Sequence, residues 1–275
     1  MSTNPSSTEY PAREDGDLSG RVALVTGGTR GIGAAISQRL ASRGAVVAAG
    51  FSSNTERAEA FRESLDGSRG SVTLHQGNVG DAEDCARVVT EVIEQHGRLD
   101  ILVNNAGVTV DRPIAKMSVD DWHKVLRVNL SGAFYMVKPV LNHMLERGSG
   151  RIINISSVIG ERGNVGQANY AASKSGLFGF TKSLALEAAF SLARSGKLDE
   201  PGALGLTVNA VTPGLIETDM TAGMPEKMVE GLKQMIPMRR MGIPDEVARV
   251  VAFLADDSSA YITGQVWAVN GGYDM

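Results

Sequence analysis

Short unbroken apolar runs alternate along this chain with longer segments whose apolar residues recur at helical spacing. The runs Val22–Val25, Val46–Ala49, Val72–His75, Ile101–Val103, Ile152–Ile155, Leu206–Val211 and Val266–Val269 read as strands. Between them, Gly33–Arg43, Thr55–Leu65, Ala82–His96, Val119–Leu145, Gln167–Leu192 and Pro244–Leu254 read as helices. Strands that lack polar alternation are buried on both faces. Their strict alternation with long helices builds βαβ units and a parallel sheet. The pattern therefore predicts an α/β fold, a single doubly wound domain with a seven-stranded parallel sheet. No internal repeat and no linker divides it.

Three segments fall outside the alternation. The N-terminal stretch is rich in Ser, Pro and Thr, acidic and without an apolar run, so residues 1–18 are expected to be a disordered tail and not a signal peptide. The polar segment Ser191–Gly205 holds three glycines and a proline and is expected to be an expanded loop. Residues 215–241 carry six of the eleven methionines (Met220, Met224, Met228, Met235, Met238 and Met241) and read as a substrate lid. Unbranched thioethers suit a mobile flap over a flexible apolar ligand, and they equally suit a peripheral helix packed on the body. At 275 residues the chain exceeds the roughly 200–250 of many single α/β domains. Tail and loop absorb the surplus and leave 19–275 as one domain.

Composition narrows the function classes. Hydrophobic residues at 43% and charged residues at 21% are ordinary globular values. With 27 Lys and Arg against 31 Asp and Glu, a net charge of −4 argues against a general nucleic-acid binder. Cys85 stands alone, which excludes an intrachain disulfide, and reads as a small residue packed on a helix. The four histidines show no metal-ligand spacing, so no metal is expected. No run approaches 18 apolar residues, so no membrane span is expected either and a cytoplasmic location follows.

The first strand runs into Thr26-Gly27-Gly28-Thr29-Arg30-Gly31-Ile32-Gly33 and then a helix. Gly27, Gly31 and Gly33 remove side chains where a backbone must turn sharply beside a pyrophosphate, and the helix N-terminus adds free N–H groups. Thr29, Arg30 and Ile32 belong to the same loop. An acid after the second strand would bind a ribose 2′-OH and repel a 2′-phosphate. Residues 48–54 contain none, and Arg30 with Ser52, Ser53 and Asn54 could meet the phosphate, so NADP(H) is favoured over NAD. Arg30 could also be a plain surface cation. Asn78-Val79 after the third strand and Asn105-Ala106-Gly107 after the fourth could line the cofactor crevice, or could be ordinary turn chemistry.

Tyr170 and Lys174 lie four apart, hence on one helical face. An ammonium near a phenol lowers the phenol's pKa, and a tuned tyrosine can protonate a carbonyl oxygen. Ser157, just past the fifth strand, could polarise that carbonyl by a hydrogen bond.

Taken in order, TGGTRGIG, NNAG, the Asn129 of VNL, Ile155-Ser156-Ser157, Tyr170-Ala171-Ala172-Ser173-Lys174 and Thr212-Pro213-Gly214 resemble the short-chain dehydrogenase/reductase family over nearly all of Leu18–Met275. The resemblance implies a Rossmann-type domain with Tyr170 as general acid and Lys174 on the nicotinamide ribose. Ser157 would orient substrate, with Ser156 as the lesser alternative, and Asn129 would support a water-linked proton relay. It places Pro213, Gly214, Ile216 and Thr218 near the nicotinamide. Asn78 departs from the aspartate common in the family, although an amide can still bond to adenine.

Within the family, GQANY, PGLIETDM and the ending VNGG resemble 3-oxoacyl-(acyl-carrier-protein) reductases and acetoacetyl-CoA reductases. That implies an NADPH-dependent reduction of a 3-oxoacyl thioester held on a carrier protein or coenzyme A. The other readings are a non-thioester ketone or alcohol substrate, or a nucleotide-binding regulator without catalysis. Arg147 and Arg194 are candidate carrier-docking cations by position. The resemblance further implies a homotetramer formed through the helices Val119–Leu145 and Gln167–Leu192.

Overall fold

The computed structural model describes residues 16–275. Most of the expected tail lies outside them. Leu18 does not belong to a tail, because its side chain is 2% exposed within the core and its N–H bonds Arg43 O at 2.8 Å.

Seven strands form the sheet: β1 (Val22–Val25), β2 (Val46–Phe51), β3 (Val72–Gln76), β4 (Ile101–Asn104), β5 (Ser149–Ile155), β6 (Gly205–Pro213) and β7 (Val266–Val269). The helices are α1 (Gly31–Ser42), α2 (Thr55–Glu63), α3 (Ala82–His96), α4 (Val119–Leu126), α5 (Gly132–Arg147), α6 (Val158–Arg162), α7 (Ala168–Arg194), α8 (Asp219–Ala222), α9 (Glu226–Met235) and α10 (Pro244–Ala255). All strand pairs are parallel, in the order β3-β2-β1-β4-β5-β6-β7. The β1, β4 and β5 residues are nearly all buried, as unbroken apolar runs require when helices cover both faces. One core lies between the sheet and α1 with α10, the other between the sheet and α3, α5 and α7.

The winding direction reverses between β1 and β4. Loops leaving the C-terminal ends of those neighbours diverge to opposite faces and open a crevice there. The glycine loop follows β1, and Asn105–Gly107 follows β4.

Four features correct the sequence reading. Residues 119–145 do not form one helix, because a π-turn at Arg127–Ser131 separates α4 from α5. Nothing in its residue types announces it; its consequence is that Asn129 faces inward. The segment 191–205 is loop only after Arg194, since α7 continues to that residue. It joins the end of α7 to the start of β6, the sheet end opposite the crevice, where Lys197 packs on Gly148. With Tyr170 near the start of the helix, Arg194 lies about 36 Å further along its axis. The expanded loop is therefore remote from Tyr170 in the same chain.

The fourth feature is local strain. Arg239, at the exit of the segment 215–241, has φ 56°, the only non-glycine positive φ among the described residues. An L-residue there costs about 1–2 kcal/mol, and glycine gives part of that back as unfolded-state entropy. Arg239→Gly is expected to stabilise the protein by about 0.5–1 kcal/mol, read as a melting temperature higher by roughly 1–3 °C. An unchanged or lowered midpoint would show that the Arg239 contact with Gln234 O, at 2.6 Å, outweighs the strain.

Candidate active site

The glycine loop is shaped for a close neighbour. A Cβ on Gly33 would lie 2.0 Å from Gly27 O, and Gly27 and Gly31 hold φ 60° and 51°. Thr29 is buried, while Ile32 packs against the core. Arg30 is exposed at the N-cap of α1, and its guanidinium has no hydrogen bond or ion pair among the described residues. These features fit a dinucleotide phosphate: bare N–H groups at a helix start with a free cation beside them.

Asn105 reinforces the loop from the other side. Its Nδ2 donates to Thr26 O at 2.9 Å and Gly27 O at 3.2 Å, while Thr26 Oγ1 accepts from Asn105 N and Ala106 N at 2.9 and 3.0 Å. The Asn105 side chain thus fixes the crevice walls. A Cβ on Gly107 would come within 3.5 Å of both Asn129 Oδ1 and Lys174 Nζ, so Gly107 keeps that floor open.

Ser52, Ser53 and Asn54 are exposed beyond β2. Asn54 Oδ1 caps α2 by accepting from Arg57 N at 2.9 Å, which leaves only its Nδ2 to donate. Arg57 itself, overlooked in the sequence, pairs with Asp219 at the start of α8 and so joins the second-strand loop to the segment 215–241. Asn78 Oδ1 is committed to Gly80 N at 3.0 Å, and Val79 packs against Gly132.

At the reacting end, Asn129 is buried and saturated. Its Oδ1 accepts from Val108 N at 2.8 Å, and its Nδ2 donates to Val108 O at 3.0 Å and Ser173 Oγ at 3.1 Å. Ser173 in turn donates to Tyr170 O at 2.8 Å. Asn169, fully buried, accepts from Tyr170 N at 2.7 Å and donates to Val110 O at 3.1 Å and Asp121 O at 3.3 Å. Asn169 and Ser173 anchor the first turn of α7. They were missed because a residue's bonding partners across the fold leave no spacing signal in the chain.

The two serines separate cleanly. Ser156 Oγ donates to Lys174 O at 2.8 Å. Ser157 Oγ accepts from Ile159 N at 3.1 Å as the N-cap of α6, so its hydroxyl proton is still available. Burial raises the Tyr170 phenol above its usual range, while the neighbouring Ser157 hydroxyl pulls the other way. Lys174 Nζ donates to Ile155 O at 2.8 Å and lies 5.7 Å from the Tyr170 ring centre. Its own pKa is pushed down to about 8 by burial. The expectation that Lys174 lowers the tyrosine pKa is therefore corrected: desolvation dominates, and the phenol is firmly protonated at neutral pH.

Beyond β6, Gly214 N bonds Val269 O at 2.9 Å behind Pro213, and Ile216 is buried with a bridge to Gly242. Thr218 caps α8 close to Gly31. Met241 is buried, whereas Met228, Met235 and Met238 are exposed on and after α9, so packing on the body accounts for Met241 and not for those three. An open cleft of about 770 Å³ separates α1 from this segment, lined by Ala34, Gln38, Thr218, Met224 and Val229.

Arg147 and Arg194 do not join the site. Arg147 ends α5 with its guanidinium 3.9 Å from Asp100, just before β4, and Arg194 stacks 5.6 Å from the centre of the Phe190 ring. Cys85 is buried and pushed up to about 12, an inert thiol. No described helix is long and apolar enough to cross a membrane.

A family model described as enoyl-(acyl carrier protein) reductase matches residues 27–274. The acetoacetyl-CoA reductase of Shinella zoogloeoides is 44% identical over 253 residues, 92% of this chain and 98% of that protein. The 3-oxoacyl-[acyl-carrier-protein] reductase of Aquifex aeolicus is 46% identical over 257 residues, 93% of this chain and 98% of its own. That of Thermotoga maritima is 43% identical over 255 residues, again 93% and 98%.

Proposed function

The chain belongs to the short-chain dehydrogenase/reductase family, and from that premise we propose that it reduces a 3-oxoacyl thioester to the 3-hydroxyacyl thioester with NADPH. One observation carries the carbonyl chemistry: Ser157 and Tyr170 keep hydroxyl protons available at one place, while Ser156 and Asn129 are committed elsewhere. Two donors converging on one oxygen suit a ketone. The acyl thioester is supported by the printed activities of the relatives.

Residues 27–33 with Asn105–Gly107 would hold the dinucleotide, its nicotinamide end towards Lys174, Pro213, Gly214, Ile216 and Thr218. When bound, NADPH supplies the hydride that the carbonyl carbon receives. Ser157 Oγ–H holds the carbonyl oxygen by a hydrogen bond, and Tyr170 Oη carries the proton that this oxygen takes up. Burial keeps that proton on Tyr170 until an oxyanion stronger than phenolate develops beside it. Lys174 supplies a cation on the same face of α7. Asn129 fixes the chain around Val108, which any proton relay past Lys174 must skirt. We read residues 215–241 as the lid, residues 19–275 as one catalytic domain and the protein as cytoplasmic.

The NADPH preference rests on Arg30, a free cation in the glycine loop, and on the missing acid after β2. Arg30→Ala is expected to raise KM for NADPH at least about tenfold and to leave KM for NADH nearly unchanged, the loss of a charge-assisted phosphate contact. A wild type that prefers NADH would remove this assignment. Assaying acetoacetyl-CoA beside an acetoacetyl carrier protein tests the acyl carrier. Inactivity on both would overturn the thioester and leave the reductase. The same family reading supports a homotetramer, and the exposed Phe134 on α5 with Leu186 and Phe190 on α7 offers the apolar face for it.

A further inference from the structure

Ser157 can present its hydroxyl only as well as α6 is held. A five-residue helix has no stability of its own, since one turn does not repay its nucleation. Its flank is fixed by α7: Gly160 lies so close to Lys174 that a Cβ would sit 2.9 Å from the lysine carbonyl carbon, and Ser175 Oγ bonds Gly160 O. Its far end is fixed by something else. The Arg162 guanidinium lies 4.2 Å from the centre of the Tyr273 ring, and Arg162 Nη1 reaches Tyr273 O at 3.4 Å. Beside it, Glu161 accepts from Thr212 Oγ1 at 3.3 Å.

Tyr273 belongs to the C-terminal strap Asn270–Asp274, which is itself anchored. Asn270 Nδ2 donates to Asp274 O at 2.8 Å and its Oδ1 accepts from Gly272 N at 2.9 Å. The strap also grips the end of the lid segment. Met238 N donates to Gly271 O at 3.2 Å, and a Cβ on Gly271 or Gly272 would meet Ile236 or Pro237 at 3.0 Å. A continuous path thus runs from Ser157 along α6, across Arg162 and Tyr273, to the exit of the lid.

We propose that Arg162 and Tyr273 form a brace that fixes the Ser157 helix against the lid exit, making both of them positioning residues for the acyl substrate. Neither reaches the reacting atoms. The claim that they serve substrate binding rests on the reductase reading; the mechanical claim does not. Because the brace lies on the acyl side, its loss moves substrate affinity and spares the dinucleotide loops around Gly27 and Asn105.

The test compares wild type, Arg162→Ala, Tyr273→Ala, Tyr273→Phe and the Arg162→Ala/Tyr273→Ala double variant. Each alanine change is expected to raise KM for acetoacetyl-CoA about threefold, the scale of an exposed cation–π contact, with kcat and KM for NADPH held. Tyr273→Phe keeps the ring and the main-chain oxygen and is expected to match wild type. The double variant should equal either single one, because both remove the same contact. Equal rises in both KM values, additive singles, or no change would overturn the brace. If wild type reduces no thioester, the function reading fails separately. Hydrogen exchange then decides the mechanical claim: Tyr273→Ala must speed exchange at Gly160–Gly163 and at Met238, and unchanged protection at those amides overturns it.

Discussion

Tyr170→Phe is expected to lower kcat by about 10²–10⁴, the range for a positioned general acid, with NADPH affinity within about twofold of wild type. The ring is retained, so the first turn of α7 keeps its anchors: Asn169 still accepts from residue 170 N, and Ser173 still donates to residue 170 O. What disappears is the one buried hydroxyl that carries a proton at neutral pH. Single-turnover kinetics with fluorescence titration of NADPH separates the two effects. Retained turnover would remove Tyr170 as the acid, and a loss of cofactor binding equal to the loss of rate would mean that the variant had damaged the crevice.

Lys174→Met is expected to lower kcat by about 10²–10³ and at the same time to stabilise the cofactor-free protein. The ammonium is buried, donates to one carbonyl and faces no carboxylate. Its pKa falls from 10.5 in the free side chain to about 8. A cation whose folded pKa is lowered costs stability below that pKa, where folded and unfolded chains are both protonated. Between about pH 8 and 10.5 the folded chain sheds its proton first, so the unfolded chain binds more protons and stability rises with pH. A shift of this size corresponds to about 3 kcal/mol, offset by about 1 kcal/mol for an unpartnered Ile155 carbonyl in the variant. Urea unfolding at pH 7 should therefore give a gain of about 1–3 kcal/mol that shrinks as pH approaches 10. A variant less stable than wild type at pH 7 would show that Lys174 has a favourable partner in the resting protein.

The alternation of apolar runs with helical segments made the seven-stranded sheet legible, because a strand buried on both faces has nowhere to place polar residues. The glycine loop was legible for the same kind of reason: only glycine fits where a Cβ at position 33 would strike Gly27 O. The π-turn around Asn129 was not, since its residues Arg-Val-Asn-Leu-Ser are unremarkable in a helix and the bend answers to contacts with Val108 and Ser173. Nor was the sign of the Tyr170 shift. The four-residue spacing puts Lys174 on the same face, but only the three-dimensional arrangement reveals that the ammonium is directed to Ile155 O and that burial prevails. Arg147 and Arg194 failed as docking candidates because proximity to α7 in sequence is not proximity to its first turn.

The most direct test of the account follows NADPH oxidation and 3-hydroxybutyryl-CoA formation together, with acetoacetyl-CoA as substrate. The account predicts one hydroxyacyl thioester for each NADPH consumed, and neither change with Tyr170→Phe. Intact NADPH in the presence of acetoacetyl-CoA and of an acetoacetyl carrier protein, or equal product with Tyr170→Phe, would contradict it.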